Sequence, residues 1–211
     1  MASIDASITS TGLISTGDAT GILQLKSNGI TALTVHANAN VSIASGLSVS
    51  GSNVQPLILA TQQTASGSTV DFTGIPSWVK KVTVMLNGVS ASSIGDFYLR
   101  LGTGGVLATT GYFGVVSSIS SGATATGTVT TGFWAGSAAA TAALMYSVGY
   151  LTLMDSSTNT WMWSMQGSRD DTTDVAHATA GRVALSGTLD TISILPTAGN
   201  FDAGSINIMY E

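Results

Sequence analysis

Between Arg100 and Asp155 the chain carries no charged side chain, and that stretch is written in Gly, Ala, Ser, Thr, Val and aromatic residues rather than in apolar residues alone. Enzymes concentrate perturbed ionisable groups in a cleft, whereas the middle of this chain offers hydroxyls, backbone and rings. The pattern points first to a scaffold or adhesin and only second to a catalyst. Over 211 residues the charged fraction is 8%, against an ordinary share of roughly 25%, so solubility must come from Ser, Thr, Asn and backbone groups. Such surfaces suit particles and assemblies. The length allows one sandwich of average size plus an appendage.

The net charge is −5, and the six basic residues, Lys26, Lys80, Lys81, Arg100, Arg169 and Arg182, are scattered apart from one adjacent pair. No phosphate-tracking stripe results, so nucleic acid is not an expected partner. Cysteine is absent, which removes disulfides and thiolate metal sites. The start, Met1-Ala2-Ser3-Ile4-Asp5, lacks the basic and apolar blocks of a secretory signal and reads as a mature end. Phe133 to Leu153 is long enough to span a bilayer, but it has no flanking Lys or Arg and is interrupted by Gly136, Ser137, Thr141, Ser147 and Gly149. No membrane insertion is expected.

Up to about Val54 the chain is a series of very short alternating runs, among them Leu33-Thr34-Val35, Val41-Ser42-Ile43 and Leu47-Ser48-Val49. Asn28-Gly29, Asn38-Ala39-Asn40, Ser45-Gly46 and Ser50-Gly51 punctuate them as turns. Apolar faces of two or three residues cannot offset the entropy of ordering their backbone. Sister chains must therefore close that core, and a three-fold stalk in a closed homotrimer is the simplest solution. An arm that orders only on a particle surface is the competing reading. Gln55-Pro56 marks a boundary, because proline cannot donate to a ladder and biases its predecessor towards extended backbone. This gives an N-terminal stem or attachment segment, residues 1–55, and a head domain, residues 56–211.

In the head the strands lengthen. The spacing predicts strands over Leu57–Gln62, Thr69–Phe72, Lys81–Leu86, Phe97–Leu101, Gly111–Ile119, Gly127–Phe133, Met145–Met154, Thr160–Met165, Ala180–Leu185, Thr191–Leu195 and Ser205–Tyr210. Turns are expected at Asn87-Gly88, Gly102-Thr103-Gly104-Gly105, Ser121-Gly122 and Thr197-Ala198-Gly199-Asn200. No segment shows capped helical periodicity. The fold class is therefore all-β: a short-strand stem followed by an antiparallel, jelly-roll-like β-sandwich.

Two passages carry a family resemblance. Thr34-Val35-His36-Ala37-Asn38-Ala39-Asn40-Val41-Ser42-Ile43 resembles the short repeated units in stems of tailed-bacteriophage fibre proteins. The stretch Phe72 to Ser90 (FTGIPSWVKKVTVMLNGVS), with Phe201 to Glu211 (FDAGSINIMYE), resembles the globular C-terminal domain of such virion proteins. The resemblance implies a trimeric appendage on the virion surface, its N-terminal part towards the particle and its C-terminal domain outward. It leaves tail fibre and capsid decoration both open, and it carries no catalytic motif.

For recognition the candidate is Trp161-Met162-Trp163-Ser164-Met165 followed by Arg169-Asp170-Asp171-Thr172-Thr173-Asp174-Val175-Ala176-His177. On a strand Trp161, Trp163 and Met165 share one face. Turned outward, the indoles would stack on a sugar ring; turned inward, with Met162 and Ser164 outside, they are core. Asp170, Asp171, Asp174 and His177 would complete a receptor-contacting tip, either as a solvated loop or holding a calcium ion, though the EF-hand glycine and terminal glutamate are missing. In Phe133-Trp134 and Tyr112-Phe113 one member of each pair should be exposed or buried between subunits.

No catalytic residue is assigned and no cofactor is expected: His36 and His177 are the only histidines, no Gly-x-Ser-x-Gly elbow exists, and nothing in the sequence sets a particular serine beside His177. The expected function is a non-enzymatic, homotrimeric virion subunit, joined to other virion proteins through its N-terminal segment and contacting a host-surface glycan or protein through its head. A capsid decoration protein is the alternative, and a glycan-degrading tail spike using Asp155, Asp170, Asp171 or Asp174 a lesser one.

Overall fold

Alternating apolar and polar residues become strand throughout: the computed structural model contains no helix among the described residues, and every strand pair is antiparallel. The structure describes residues 22–27, 30–36, 38, 40–43, 48–49, 52–120, 123–139, 143–171 and 175–211. The chain divides into two compact units, Met1–Gln55 and Pro56–Glu211.

In the first unit β1 (Leu23–Ser27), β2 (Ile30–Val35) and β3 (Val41–Ile43) form a sheet in that order, and β4 (Ser48–Val49) pairs with β5 (Ser52–Asn53). The link from β2 to β3 is closed by Asn38, whose Oδ1 accepts the Asn40 N–H at 3.2 Å, while the His36 N–H donates to the Asn40 carbonyl at 2.8 Å. Several apolar side chains of this sheet stand open: Ile30 is 71% exposed and Val41 56%.

The second unit has two sheets. The larger runs β13 (Ala123–Val129), β12 (Phe113–Ser120), β17 (Val175–Ala184), β16 (Thr160–Asp170), β15 (Leu144–Asp155), β9 (Lys81–Ala91), β19 (Phe201–Tyr210), β6 (Ile58–Leu59), with β7 (Gln63–Thr64) also on β19. The smaller runs β11 (Val106–Leu107), β10 (Gly95–Thr103), β18 (Thr191–Pro196), β8 (Val70–Thr73), and β14 (Phe133–Ala138) pairs with β10. One apolar core joins them. Phe97 of β10 meets Phe201 of β19 with ring centroids 5.3 Å apart, and Phe133 stacks on Trp163 at 6.0 Å. Each such buried ring contributes on the order of 2 kcal/mol.

Strand β14 is buried at all six positions. Its hydrogen-bonding needs are met partly by β10 and partly by side chains of the larger sheet: Trp163 Nε1 and Thr179 Oγ1 donate to the Trp134 carbonyl at 3.1 and 3.3 Å, and Ser147 Oγ to the Ala135 carbonyl at 3.2 Å. The polar residues on the inner face of β15 and β17 thus have a purpose, since an unpaired buried carbonyl would cost about 1–3 kcal/mol.

Several expected boundaries move. Asn87-Gly88 is not a turn but lies inside β9, where Gly88 takes φ 62° and the register slips between Met145 and Ser147 on the facing strand. The left-handed glycine is used for a bulge. The expected strand Gly127–Phe133 is replaced by the end of β13 and the start of β14, with a bend between them. Strand β17 begins at Val175, five residues before the expected Ala180, because Val175, His177, Thr179, Gly181 and Val183 alternate inward against outward alanines and Arg182. The apolar stretch Phe133 to Leu153 contributes β14 and β15, and no helix among the described residues is long and apolar enough to cross a membrane. The Ser121-Gly122 turn lies outside the described residues.

The Trp163 indole lies directly over Gly149 of β15, where an added Cβ would collide with the ring. Gly149→Ala should lower stability by about 1–3 kcal/mol in chemical denaturation, with loss of near-ultraviolet circular dichroism from the displaced tryptophan. Unchanged stability would contradict this seating of Trp163.

Candidate functional site

The alternation that packs the larger sheet also leaves part of it uncovered. Strands β12 and β13 extend beyond the smaller sheet, and their inward residues are small: Gly114, Val116, Ser118 and Ser120 on β12, Ala125 and Gly127 on β13. Between this hairpin and the β10–β14 edge lies a pocket of about 410 Å³, lined among others by Asp96, Tyr98, Ser118, Trp134, Arg169 and His177.

Register brings its centre together. Ser118 lies directly opposite His177 across β12 and β17, and Ser118 Oγ is 2.9 Å from His177 Nδ1. His177 is 5% exposed, and its Nε2 has no hydrogen-bond partner within the described chain. The imidazole packs on Trp134 with ring centroids 4.7 Å apart, and the Trp134 indole N–H is held by Asp96 Oδ1 at 2.9 Å. At the far side Arg169 Nε meets Asp171 Oδ2 at 2.5 Å, and its Nη1 donates to Ser137 Oγ at 3.1 Å.

Burial, and secondarily the Arg169 guanidinium, pushes His177 down to about 4 against the opposing pull of Asp171 and Asp96. The ring is therefore neutral at pH 7, with one nitrogen a donor and the other an acceptor. Burial and then Asp96 push the Tyr98 phenol upward, so its hydroxyl stays protonated. Ser118 and His177 are within the distance of a nucleophile and its base, but the ring is a weak base and no carboxylate orients its second nitrogen. What the geometry supplies is an array of hydrogen-bonding groups, neutral at Tyr98, Ser118 and His177 and charged at Asp96 and Arg169.

The described members of the sequence-predicted tip do not share one surface. Trp161 and Trp163 are 2% and 1% exposed on the inner face, so neither offers a stacking platform to solvent; the outward residue between them is Met162. Their strand turns this way because Met162 and Ser164 take the wet face, leaving the indoles to fill the core. Asp170 is exposed at the end of β16, Asp171 is tied to Arg169, and His177 points inward from β17 rather than sitting in an acidic loop. Asp174 lies outside the described residues. No group of three or more His, Cys, Asp or Glu among the described residues could hold a metal ion. Phe133 and Trp134 are both buried within the chain, where one member was expected to be exposed or buried between subunits, because β14 is covered on both sides; Tyr112 turns inward and Phe113 outward.

The sequence reading missed Ser118, Trp134, Asp96 and Tyr98 as partners. The period-two pattern of β17 could have placed His177 inward, but its meeting with Ser118 depends on a strand register that neither segment encodes alone. No family model, curated protein or solved structure matches this chain.

The depressed His177 pKa sets a pH dependence. Unfolded, the ring takes a proton near 6.5; folded, it does so at about 4. Between those values the unfolded state binds the extra proton, so this contribution to stability is complete above about pH 6.5 and is lost as the pH falls towards 4. Denaturation at pH 7 and at about pH 5.5 should differ by about 1–1.5 kcal/mol from this group, and the difference should shrink by that amount in His177→Gln. An equal pH slope in both proteins would show that the ring is not buried as described.

Proposed function

We propose that this chain is a structural subunit of a tailed-bacteriophage virion: a homotrimeric tail fibre or spike with a short β-stem and a jelly-roll-like head that contributes to recognition of a host-surface glycan or protein. The observation that carries the reading is the exposure of apolar side chains in the first unit. A three-stranded sheet that leaves Leu25, Ile30, Val41 and Ile43 all exposed does not offset its own ordering entropy. Sister copies bury these side chains, and three-fold closure gives each strand set a neighbour on every side.

The head supports assembly in the same direction. Phe113, Val115, Tyr146, Val148, Tyr150 and Met162 stand exposed on the outer face of its larger sheet. Across that face Tyr150, Ser164, Ala180 and Val115 fall in one row of register. A broad apolar face of low charge suits repeated contact with identical copies or with a particle, and three heads raise the avidity of any weak single site. A structural role also agrees with the Ser118–His177 pair, which lacks a third group to orient it as a catalyst.

Light scattering or native mass measurement of the full chain should give about 64 kDa, three copies of 21.2 kDa. Ile30→Asp with Val41→Asp should shift the population to monomer. A stable monomer of the unaltered chain would remove the proposal. Imaging virions with a labelled head tests its place, and a signal confined to the capsid would replace the tail assignment with a shell decoration.

A further inference from the structure

The outer face of the larger sheet is free of charge across its middle, and strand register makes the layout explicit. One row reads Val115, Ala180, Ser164 and Tyr150, the next Ser117, Ala178, Gln166 and Val148, and the third Ile119, Ala176, Ser168 and Tyr146. Arg182 lies in the row beyond one end and Asp170 beyond the other. Ordinary protein surfaces carry roughly 25–35% charged residues, so an uncharged block of three rows by four strands is a departure. The first row continues without charge through Thr128 on one side and Thr83, Met209 and Leu59 on the other. Eight strands and three rows make about 700 Å² of sheet, close to the roughly 800 Å² that one partner gives to a stable interface.

The face also has relief. Tyr146, Val148 and Tyr150 form one ridge on β15, and Phe113, Val115 and Ile119 another on β12, all between 39% and 60% exposed. Between the ridges the alanines of β17 and the serines and Gln166 of β16 floor a trough, with a hollow of about 300 Å³ against Val148 and Tyr150. Aromatic residues are what protein contacts concentrate at their centres, and charge is what they shed there.

Whatever covers such a face must itself be poor in charge, because a charge buried there without a partner is costly. The chain's own surface meets that demand, with 8% charged residues against roughly 25% in ordinary proteins. Shape then separates two ways of joining copies. Face-to-face stacking about a two-fold sets ridge on ridge and leaves the trough empty, which close packing disfavours. An inclined neighbour in a ring instead sets the ridge of one copy beside the unlike ridge of the next.

We propose that the outer face of the larger sheet is the contact between heads, with the β15 ridge of each copy packed on the β12 ridge of the next in a closed ring of three. The number of copies rests on the homotrimeric reading; the face and the pairing of unlike ridges stand on the sheet itself. Each copy divides its area between two neighbours, so this contact adds to association through the first unit rather than replacing it.

The chain contains no cysteine, so a pair can be introduced without competition: Val115→Cys with Tyr150→Cys, both at exposed positions. Within one chain the two share a row but are separated by β17 and β16, which puts them about 14 Å apart, beyond the roughly 7 Å that a disulfide spans between Cα atoms. Any disulfide between them therefore joins two copies. Mild oxidation of the full-length double variant should give three linked copies on a non-reducing denaturing gel, while each single variant stays unlinked.

Failure takes distinct forms. A native mass of three copies without linkage in the double variant refutes the face and leaves the trimer standing. Strong linkage in either single variant means that like ridges meet, and a ladder running past three copies means that the ring does not close; each overturns the proposal. A native mass of one copy removes the trimeric reading and this contact with it. The unaltered chain gives an independent measurement by nitration with tetranitromethane and peptide mapping. Tyr146 and Tyr150, 39% and 46% exposed in the single chain, should lose their reactivity in the native protein and regain it in urea. Free reaction of both in the native protein shows that no copy covers the face, and overturns the proposal.

Discussion

The organisation of the head depends on β14, an edge strand of the smaller sheet that the larger sheet completes with side chains rather than with another ladder. Its Trp134 and Ala135 carbonyls are satisfied by Trp163, Thr179 and Ser147, three residues on the inner face of the larger sheet. This arrangement fixes the distance between the sheets and forces Trp163 over Gly149. It also holds the Trp134 ring against His177. A charged residue within β14 would have to shed its hydration, at a cost of several kcal/mol, so the absence of charge from Phe133 to Ala138 follows from packing.

The same absence in β12, β13 and the outer side of β15 has a different origin. Those positions are largely open to solvent, so burial does not forbid charge there. Hydroxyls and alanines keep that surface wet without mutual repulsion. One stretch of sequence thus answers to two separate demands, and composition alone does not separate them.

The all-β class was legible because alternation is strong in β15 and β16. The direction of the Trp161–Met165 strand was legible only as a choice, which Met162 and Ser164 decided by taking the outer face. Two features were opaque for physical reasons. Asn87-Gly88 supplies a left-handed residue, and sequence does not distinguish a turn from a bulge that uses the same geometry. The pocket was hidden because its members, Asp96, Ser118, Trp134 and His177, come from four strands brought together by register and by the bend before β14. The small residues Ala125 and Gly127 of β13 are part of what leaves the space.

The smaller sheet draws its neighbours from distant parts of the chain: β10, near residue 100, lies between β14 and β18, and β18 in turn holds β8 from near residue 70. Each of these closures must join segments separated by tens to more than a hundred residues before any apolar contact rewards it, and topologies of that kind form slowly. While the second unit is still searching for its pairings, the strands of the first unit need only local turns to form. Their open side chains, Ile30 and Val41 among them, are therefore on display before the second unit has closed its core, and that interval is when an unfinished chain is most exposed to mispairing.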